Sequence, residues 1–373
     1  MVETHREKPY PEFPLNWHST GYWYKRITGK VYYFGPRWGT HEAALEDYLN
    51  RRNRPEATSA SEDTQDVLTV QLLCNYFLAA KQRQKESGEL SQRSWNDYFK
   101  TCKDLVDHLG RTRSVEDMSP EEFGALKTRL AEGLGVQTAA NRIRLARIVF
   151  RFAEQDNLIE GRIKFGTQFK QTSTKTLRKD RQKKVAENGT RQFTPQQIKD
   201  VLECASPQLK AMIYLGINCA YGNTDVSELH WNHIRDDWAV FPRPKTAVDR
   251  LAWLWPETVK VLEAVRGESP RVFSRRTGAS WVKVSAKCVD DGVSKTFAKL
   301  MQKTGHKRLG LSFYSLRHTF QTVADDCLDP VAVGLVMGHT DSSMAARYRE
   351  RVAQDRVRRV CEHVRNWLIN PDA

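Results

Sequence analysis

The chain has 373 residues, enough for two or three domains with ordinary cores. With 59 Lys and Arg against 45 Asp and Glu, the formal balance is +14, which makes nucleic acid a better candidate partner than an anionic membrane. No stretch approaches the roughly 20 apolar residues of a spanning helix and no charged-then-apolar segment opens the chain, so no membrane is expected and a cytoplasmic location is.

Residues 21–38, "GYWYKRITGKVYYFGPRW", are dense in aromatic and β-branched residues around a Thr28-Gly29-Lys30 turn, which predicts a hairpin with a third strand beside it. A helix should follow, capped by Thr40, with Glu42 in its first turn. Such a unit is either a mini-core or a DNA-contacting module, and Lys25, Arg26, Lys30 and Arg37 tilt the balance toward DNA. Residues 54–66, "RPEATSASEDTQD", are polar and aperiodic and read as a linker.

A helical region comes next. "SWNDYFKTCKDLVDHLG" has helical spacing, and Ser119, Pro120 and Glu122 spell a capping box with proline at the first helical position. In "NRIRLARIVFRFA", Leu145, Ile148, Val149 and Phe152 should face a core, leaving Arg144, Arg147 and Arg151 on an adjoining face suited to a phosphate backbone. Between Arg162 and Lys184 nine basic residues stand against one acid, Asp180. Lys175, Arg178, Lys179, Arg181, Lys183 and Lys184 crowd its second half. No apolar stripe runs through it, so an extended linker lying along DNA is expected, with strongly salt-dependent binding.

Thr194, Pro195 and Gln197 repeat the capping arrangement and open a second globular unit. "QLKAMIYLGINCAYG" is apolar enough for a buried helix, "WAVFPRPKTAVDRLAWLWP" reads as two short strands around a polar turn, and the remainder is mostly helical. His230 and His233 lack acidic or cysteine partners at ligand spacing and are taken as structural. The seven cysteines (Cys74, Cys102, Cys204, Cys219, Cys288, Cys327, Cys361) are scattered singly and read as reduced, mostly buried thiols, with no metal site.

"YSLRHTF" at residues 314–320 seats Arg317 among apolar neighbours, where a cation needs a partner. "VMGHT" follows with Gly338 and His339, and "ARYRE" brings Tyr348 nine residues after that histidine. In this order the three fragments resemble the C-terminal signature of the tyrosine site-specific recombinases, the phage integrases. The resemblance implies an α+β, mostly α protein: an arm-type β-rich DNA-binding module (1–53), a linker (54–66), a helical core-binding domain (67–161), a basic interdomain linker (162–190) and a mainly helical catalytic domain with a short antiparallel sheet (191–373).

That family breaks DNA without hydrolysis. A tyrosine hydroxyl attacks phosphorus and conserves the bond energy in a phosphotyrosyl link. A phenol with an ordinary pKa of about 10 must lose its proton as it attacks, and cations must stabilise the charge that develops on the phosphate oxygens. By resemblance, Tyr348 matches the nucleophile, Arg317 the second phosphate-binding arginine and His339 the histidine that hydrogen-bonds the phosphate. Lys245, in "RPKT", matches the hairpin lysine that protonates the leaving 5′ oxygen, and Tyr314 stands where the family most often has histidine. His318 reads as a packed structural histidine. The implied partners are double-stranded DNA and further copies of the chain in a tetrameric synapse, with no cofactor. Val357, Val360, Val364 and Trp367 or Leu368 make a C-terminal apolar stripe that could dock on a neighbouring protomer or on its own domain, and a relaxing type IB topoisomerase shares the chemistry without that assembly.

One position departs from the pattern. The family's first arginine precedes "SEL" by two positions, and in "NTDVSEL" that position is Asp225. As a local signal Asp225 can cap a helix with Glu228 three residues on. As chemistry it replaces a phosphate-binding cation by an anion, so cleavage is in doubt unless another cation, Arg235 or Arg243 for example, reaches the site. A DNA-binding relative that cleaves poorly is the alternative.

Overall fold

The computed structural model describes residues 8–10, 13–18, 20–27, 30–36, 39–52, 67–286 and 288–370. Its contacts divide into two compact units, residues 1–69 with 112–117, and residues 70–111 with 118–373. The linker expected at 54–66, the Thr28-Gly29 turn and Arg37 lie outside the described residues.

In the first unit, β1 (Asn16–His18), β2 (Tyr22–Ile27) and β3 (Lys30–Phe34) form an antiparallel meander, followed by α1 (His41–Arg52). The third strand therefore precedes the hairpin. Alternation puts Trp23 and Phe34, which pair in register, on the inner face, where Phe13, Leu15, Ala44 and Tyr48 complete a small core. Gly35 joins sheet to helix with φ +71°, and a Cβ there would stand 2.8 Å from the Ala44 Cα, so only glycine fits. The Thr40 hydroxyl accepts the Ala43 N–H at 3.4 Å, as its capping role requires. Lys25 does not project freely: its ammonium lies 4.5 Å from the Tyr48 ring centroid.

The second unit begins with four helices, α2 (Val70–Glu86), α3 (Gln92–Leu109), α4 (Pro120–Ala131) and α5 (Val136–Gln155). The Ser119–Glu122 capping box is formed in both directions. On α5 the buried residues are Ala139, Ile143, Leu145, Ala146, Val149, Phe150 and Ala153, while Ile148 is only half-buried. Phe152 is half-buried too. The inner stripe is rotated from the expected one because Phe150 inserts edge-on against Phe123 of α4, 5.1 Å between centroids.

The basic segment is a helix, α6 (Thr174–Asn188), rather than the expected extended linker. The Ser173 hydroxyl accepts the Thr176 N–H at 3.1 Å and Gly189, at φ +77°, ends it. None of its residues is buried. Lys, Arg, Gln, Leu and Ala are strong helix formers, no Gly or Pro interrupts them, and Lys184–Asp180 (2.7 Å) and Lys183–Glu187 (3.8 Å) add i,i+4 pairs. A solvated helix of this kind needs no apolar stripe.

Beyond it run α7 (Pro195–Cys204), α8 (Pro207–Asn218), α9 (Asn223–Glu228), the antiparallel sheet β4 (Ile234–Arg235), β5 (Trp238–Val240) and β6 (Leu251–Trp253), and α10 (Pro256–Ala264). A hairpin not expected from the sequence, β7 (Val282–Val284) and β8 (Val289–Asp291), precedes α11 (Gly292–Lys303). Helices α12 (Ser315–Ala324), α13 (Pro330–Met337), α14 (Met344–Arg347) and α15 (Gln354–Ile369) complete the chain. Helix α8 is the apolar centre, with Leu209, Met212, Ile213 and Leu215 buried. Its last residue, buried Asn218, stitches the layers: its amide donates to Trp253 O at 2.8 Å and its carbonyl accepts Trp255 N and Thr258 Oγ1, each at 2.9 Å. Helix α15 packs its Val357, Val360, Val364 and Leu368 into this core, so the C-terminal stripe lies on its own domain.

Candidate active site

Arg317 enters from the first turn of α12 and is 3 % exposed. Its Nη1 donates to Ala220 O at 2.8 Å and its Nη2 to Met337 O at 2.6 Å, so the guanidinium ties the end of α8 to the end of α13. Ala220 takes φ +55°, a left-handed conformation that alanine adopts only at a cost of about 1 kcal/mol or more, and its carbonyl thereby meets the arginine. Burial, followed by the neighbouring Arg243, brings the Arg317 pKa down to about 10, so it remains cationic at neutral pH.

Gly338 terminates α13 in the left-handed region, φ +62°, and turns His339 out of the helix. Burial first, then Arg317 and Arg243, hold the His339 imidazole below its ordinary value, leaving it neutral near pH 7 and able to donate a hydrogen bond without adding charge. A Cβ on Gly338 would collide with the Arg250 Cδ at 2.7 Å and meet the Arg243 Cβ at 3.1 Å. The loop between β5 and β6 therefore lies directly against the residue preceding His339. Arg243 Nη1 approaches Gly338 O at 3.4 Å.

Asp225 is not the helix cap that the sequence pattern implied. It is the third residue of α9, and its Oδ2 reaches back to accept the Gly222 N–H at 2.6 Å. Its Oδ1 takes the Arg250 Nη2 at 3.1 Å, while Arg250 Nε donates to Phe241 O at 2.9 Å. Asp225 is 8 % and Arg250 1 % exposed. The Arg250 guanidinium lies against two adjoining aromatic rings, 4.5 Å from the Tyr221 centroid and 5.1 Å from that of Phe241. Arg250 was missed by the sequence reading. The available signal was an arginine leading into the apolar run "LAWLW", the same clue that singled out Arg317.

The remaining site residues are more open. Tyr314, 42 % exposed, lays its ring 3.1 Å from where a Gly222 Cβ would stand and edge-on to His318, 5.5 Å between centroids. Lys245 is exposed in the turn after β5, and Arg235 is exposed on β4. Tyr348 follows α14 and is 79 % exposed, with no hydrogen bond from its hydroxyl to Arg317 or His339 among the described residues. The structure thus gathers Arg317, His339, Arg243, Arg250 and Asp225, and leaves Tyr348 and Lys245 on exposed segments. His318 is pulled below its ordinary value by burial, then by Arg191, Arg181 and Arg317. No group of three His, Cys, Asp or Glu among the described residues is arranged to hold a metal.

No family model and no curated protein matches the sequence. Solved structures do. A lambda integrase dimer bound to a COC′ core site aligns over 93 % of this chain and 97 % of its own at 16 % identity and a TM-score of 0.56. A lambda integrase tetramer bound to a Holliday junction aligns over 93 % and 100 % at 15 % identity, TM-score 0.58. The Tn1549 transposon integrase in complex with circular intermediate DNA aligns over 76 % and 97 % at 16 % identity, TM-score 0.52. The chain has the tyrosine recombinase fold.

Within that integrase fold the basic residues fall into two groups. On α6, Lys175, Arg178, Lys179, Arg181, Lys183 and Lys184 are all exposed. On α5, Arg144 and Arg151 are exposed, Arg144 bonded to Asn141 at 2.9 Å. Arg147 is turned inward, donating to Phe169 O with its guanidinium 4.2 Å from the Phe165 centroid. Its guanidinium thus holds Phe165 and Phe169, from the start of the segment expected to be a linker, against α5. No helix among the described residues is long and apolar enough to cross a membrane.

Proposed function

We propose that this protein is a site-specific DNA recombinase that cleaves and rejoins duplex DNA through a 3′-phosphotyrosyl bond to Tyr348. The observation that carries this reading is the convergence of Arg317, His339 and the Arg243–Arg250 loop around Gly338 from three separate parts of the chain. Such a pocket offers a phosphate oxyanion both charge and hydrogen bonds. The Tyr348 oxygen attacks phosphorus as its proton leaves, the 5′ oxygen departs with a proton from Lys245, and the reverse attack by a 5′ hydroxyl restores the strand. Arg317 and His339 hold the non-bridging oxygens, and Tyr314 adds a phenolic hydrogen bond. Tyr348 and Lys245 sit on exposed segments, so the reading includes their closing onto the phosphate when DNA binds.

Residues 1–53 act as an arm-type module, 67–161 as the core-binding domain, 162–190 as a basic connector and 191–373 as the catalytic domain. Four copies assemble on two DNA sites, in line with lambda integrase, whose tetramer has been solved on a Holliday junction. Arg144 and Arg151, with the exposed cations of α6, contact the phosphate backbone. The test is a nicked suicide duplex from a randomised pool. A denaturation-resistant protein–DNA band that disappears in Tyr348→Phe supports the reading, and tight binding with no band at high protein concentration removes it. Asp225 favours a second reading, a DNA-binding relative that holds sites but cleaves poorly, and the same assay separates the two.

A further inference from the structure

We propose that Arg243 supplies the phosphate-binding cation that position 225 lacks, and that the buried Arg250–Asp225 ion pair holds it in place. This rests on the recombinase reading and deepens it.

Asp225 does not repel a phosphate at this site. Both carboxylate oxygens are engaged, Oδ2 with the Gly222 N–H and Oδ1 with Arg250, and the residue is almost completely shielded from solvent. Arg250 is committed to the fold: it is 1 % exposed, its Nε and Nη2 donate to Phe241 O and Asp225, and its guanidinium lies against the Tyr221 and Phe241 rings. Its Nη1 is buried without a hydrogen-bond partner, so the loop is held here at the cost of one unsatisfied cationic donor. A structural need alone would be met more cheaply by an apolar side chain of that volume.

Arg243 differs. It is half-buried beside Gly338, and among the described residues its guanidinium makes one long hydrogen bond, 3.4 Å, leaving most of its five donors unspent. It lowers the proton affinity of both Arg317 and His339 and so lies within electrostatic reach of each. Arg243 and Arg250 thus both act on the Arg317 guanidinium, with the Asp225 carboxylate against them and Asp325 acting on His339. Gathering like charges this way is unfavourable until an anion enters. The loop is fixed in the necessary pose: Arg243 N donates to Val248 O at 2.8 Å, and Gly338 is pressed against the Arg250 stem. Arg243 is a catalytic residue and Arg250 a positioning residue.

The experiment compares wild type, Arg243→Ala, Arg243→Lys and the control Arg235→Ala, each with an unchanged urea midpoint. Two quantities are read: the rate of covalent capture on the nicked pool, and the salt slope of binding to a 30-bp random duplex in the Tyr348→Phe background. Arg243→Ala is expected to slow capture at least 100-fold and to reduce the slope by about one, the share of one phosphate contact. Arg243→Lys should recover part of both, and Arg235→Ala should alter the capture rate less than threefold. Capture by Arg243→Ala within threefold of wild type overturns the inference and leaves the recombinase reading standing. If wild type itself captures nothing, the recombinase reading falls and the slope alone decides: no reduction by Arg243→Ala beyond that by Arg235→Ala overturns the contact.

Discussion

The Asp225 carboxylate and the Arg250 guanidinium meet at 3.1 Å in a pocket almost closed to solvent, joining α9 to the strand that begins one residue after Arg250. Removing either partner strands the other charge, which typically costs about 3–5 kcal/mol. Asp225→Ala also frees the buried Gly222 N–H. Each single variant is therefore expected to lower the urea-unfolding free energy by about that amount, while Asp225→Val/Arg250→Met recovers most of the loss. Additive losses in the double variant would show that the two side chains stabilise the fold independently.

Three histidines, His233, His318 and His339, are held below the ordinary 6.5, each chiefly by burial and then by neighbouring cationic groups. For such groups the unfolded chain binds protons first as pH falls. Stability is complete above the unfolded value and declines as pH drops below 6.5 toward the folded values. Unfolding free energy measured between pH 7.5 and 5 should therefore fall, and His318→Gln should flatten the curve. The carboxylates act lower down: Asp341, brought from 3.8 to about 2 by Ser343 and Arg349, keeps its full contribution at neutral pH and loses it only as pH falls through that acid range. A flat profile above pH 5 would contradict the histidine account.

Local signals carried much of this structure. Ser119–Glu122 and Thr194–Gln197 announce helices that form with the capping boxes they imply, because caps are decided within four residues. The aromatic alternation of residues 22–34 likewise specifies its own hairpin. Non-local partners were less legible. Nothing adjacent to Asp225 says that its counter-ion stands 25 residues away, and the α6 helix was signalled by uninterrupted helix formers and i,i+4 charge pairs rather than by the apolar stripe that marks a packed helix. The order Arg317, His339, Tyr348 was legible, but not that Tyr348 would lie exposed and unbonded to either.

Helix α6 gives a direct electrostatic prediction. Lys183 and Lys184 are partly neutralised by Glu187 and Asp180, whereas no ion pair among the described residues engages Lys175, Arg178, Lys179 or Arg181. Replacing these four by alanine preserves helix propensity and removes four candidate phosphate contacts. The slope of log K against log salt for a random duplex should fall in magnitude by about 3–4, at about 0.9 per phosphate, with unchanged circular dichroism. Substituting Lys183 and Lys184 should change it less. Equal effects from the two sets would mean that the helix acts only as diffuse charge.

Gly338 joins the fold to the site most tightly, so Gly338→Ala should injure both. At φ +62° an alanine is strained by about 1 kcal/mol, and its methyl would have to displace the Arg250 stem at 2.7–2.8 Å. The guanidinium at the end of that stem is anchored to Phe241 O and Asp225, which restrains the stem, so overpacking adds about 1–3 kcal/mol. The thermal midpoint should drop by several degrees. Because Arg243 and His339 flank the same residue, covalent capture measured well below the new midpoint should slow as well. An unchanged capture rate in a destabilised variant would separate the packing of this corner from its chemistry.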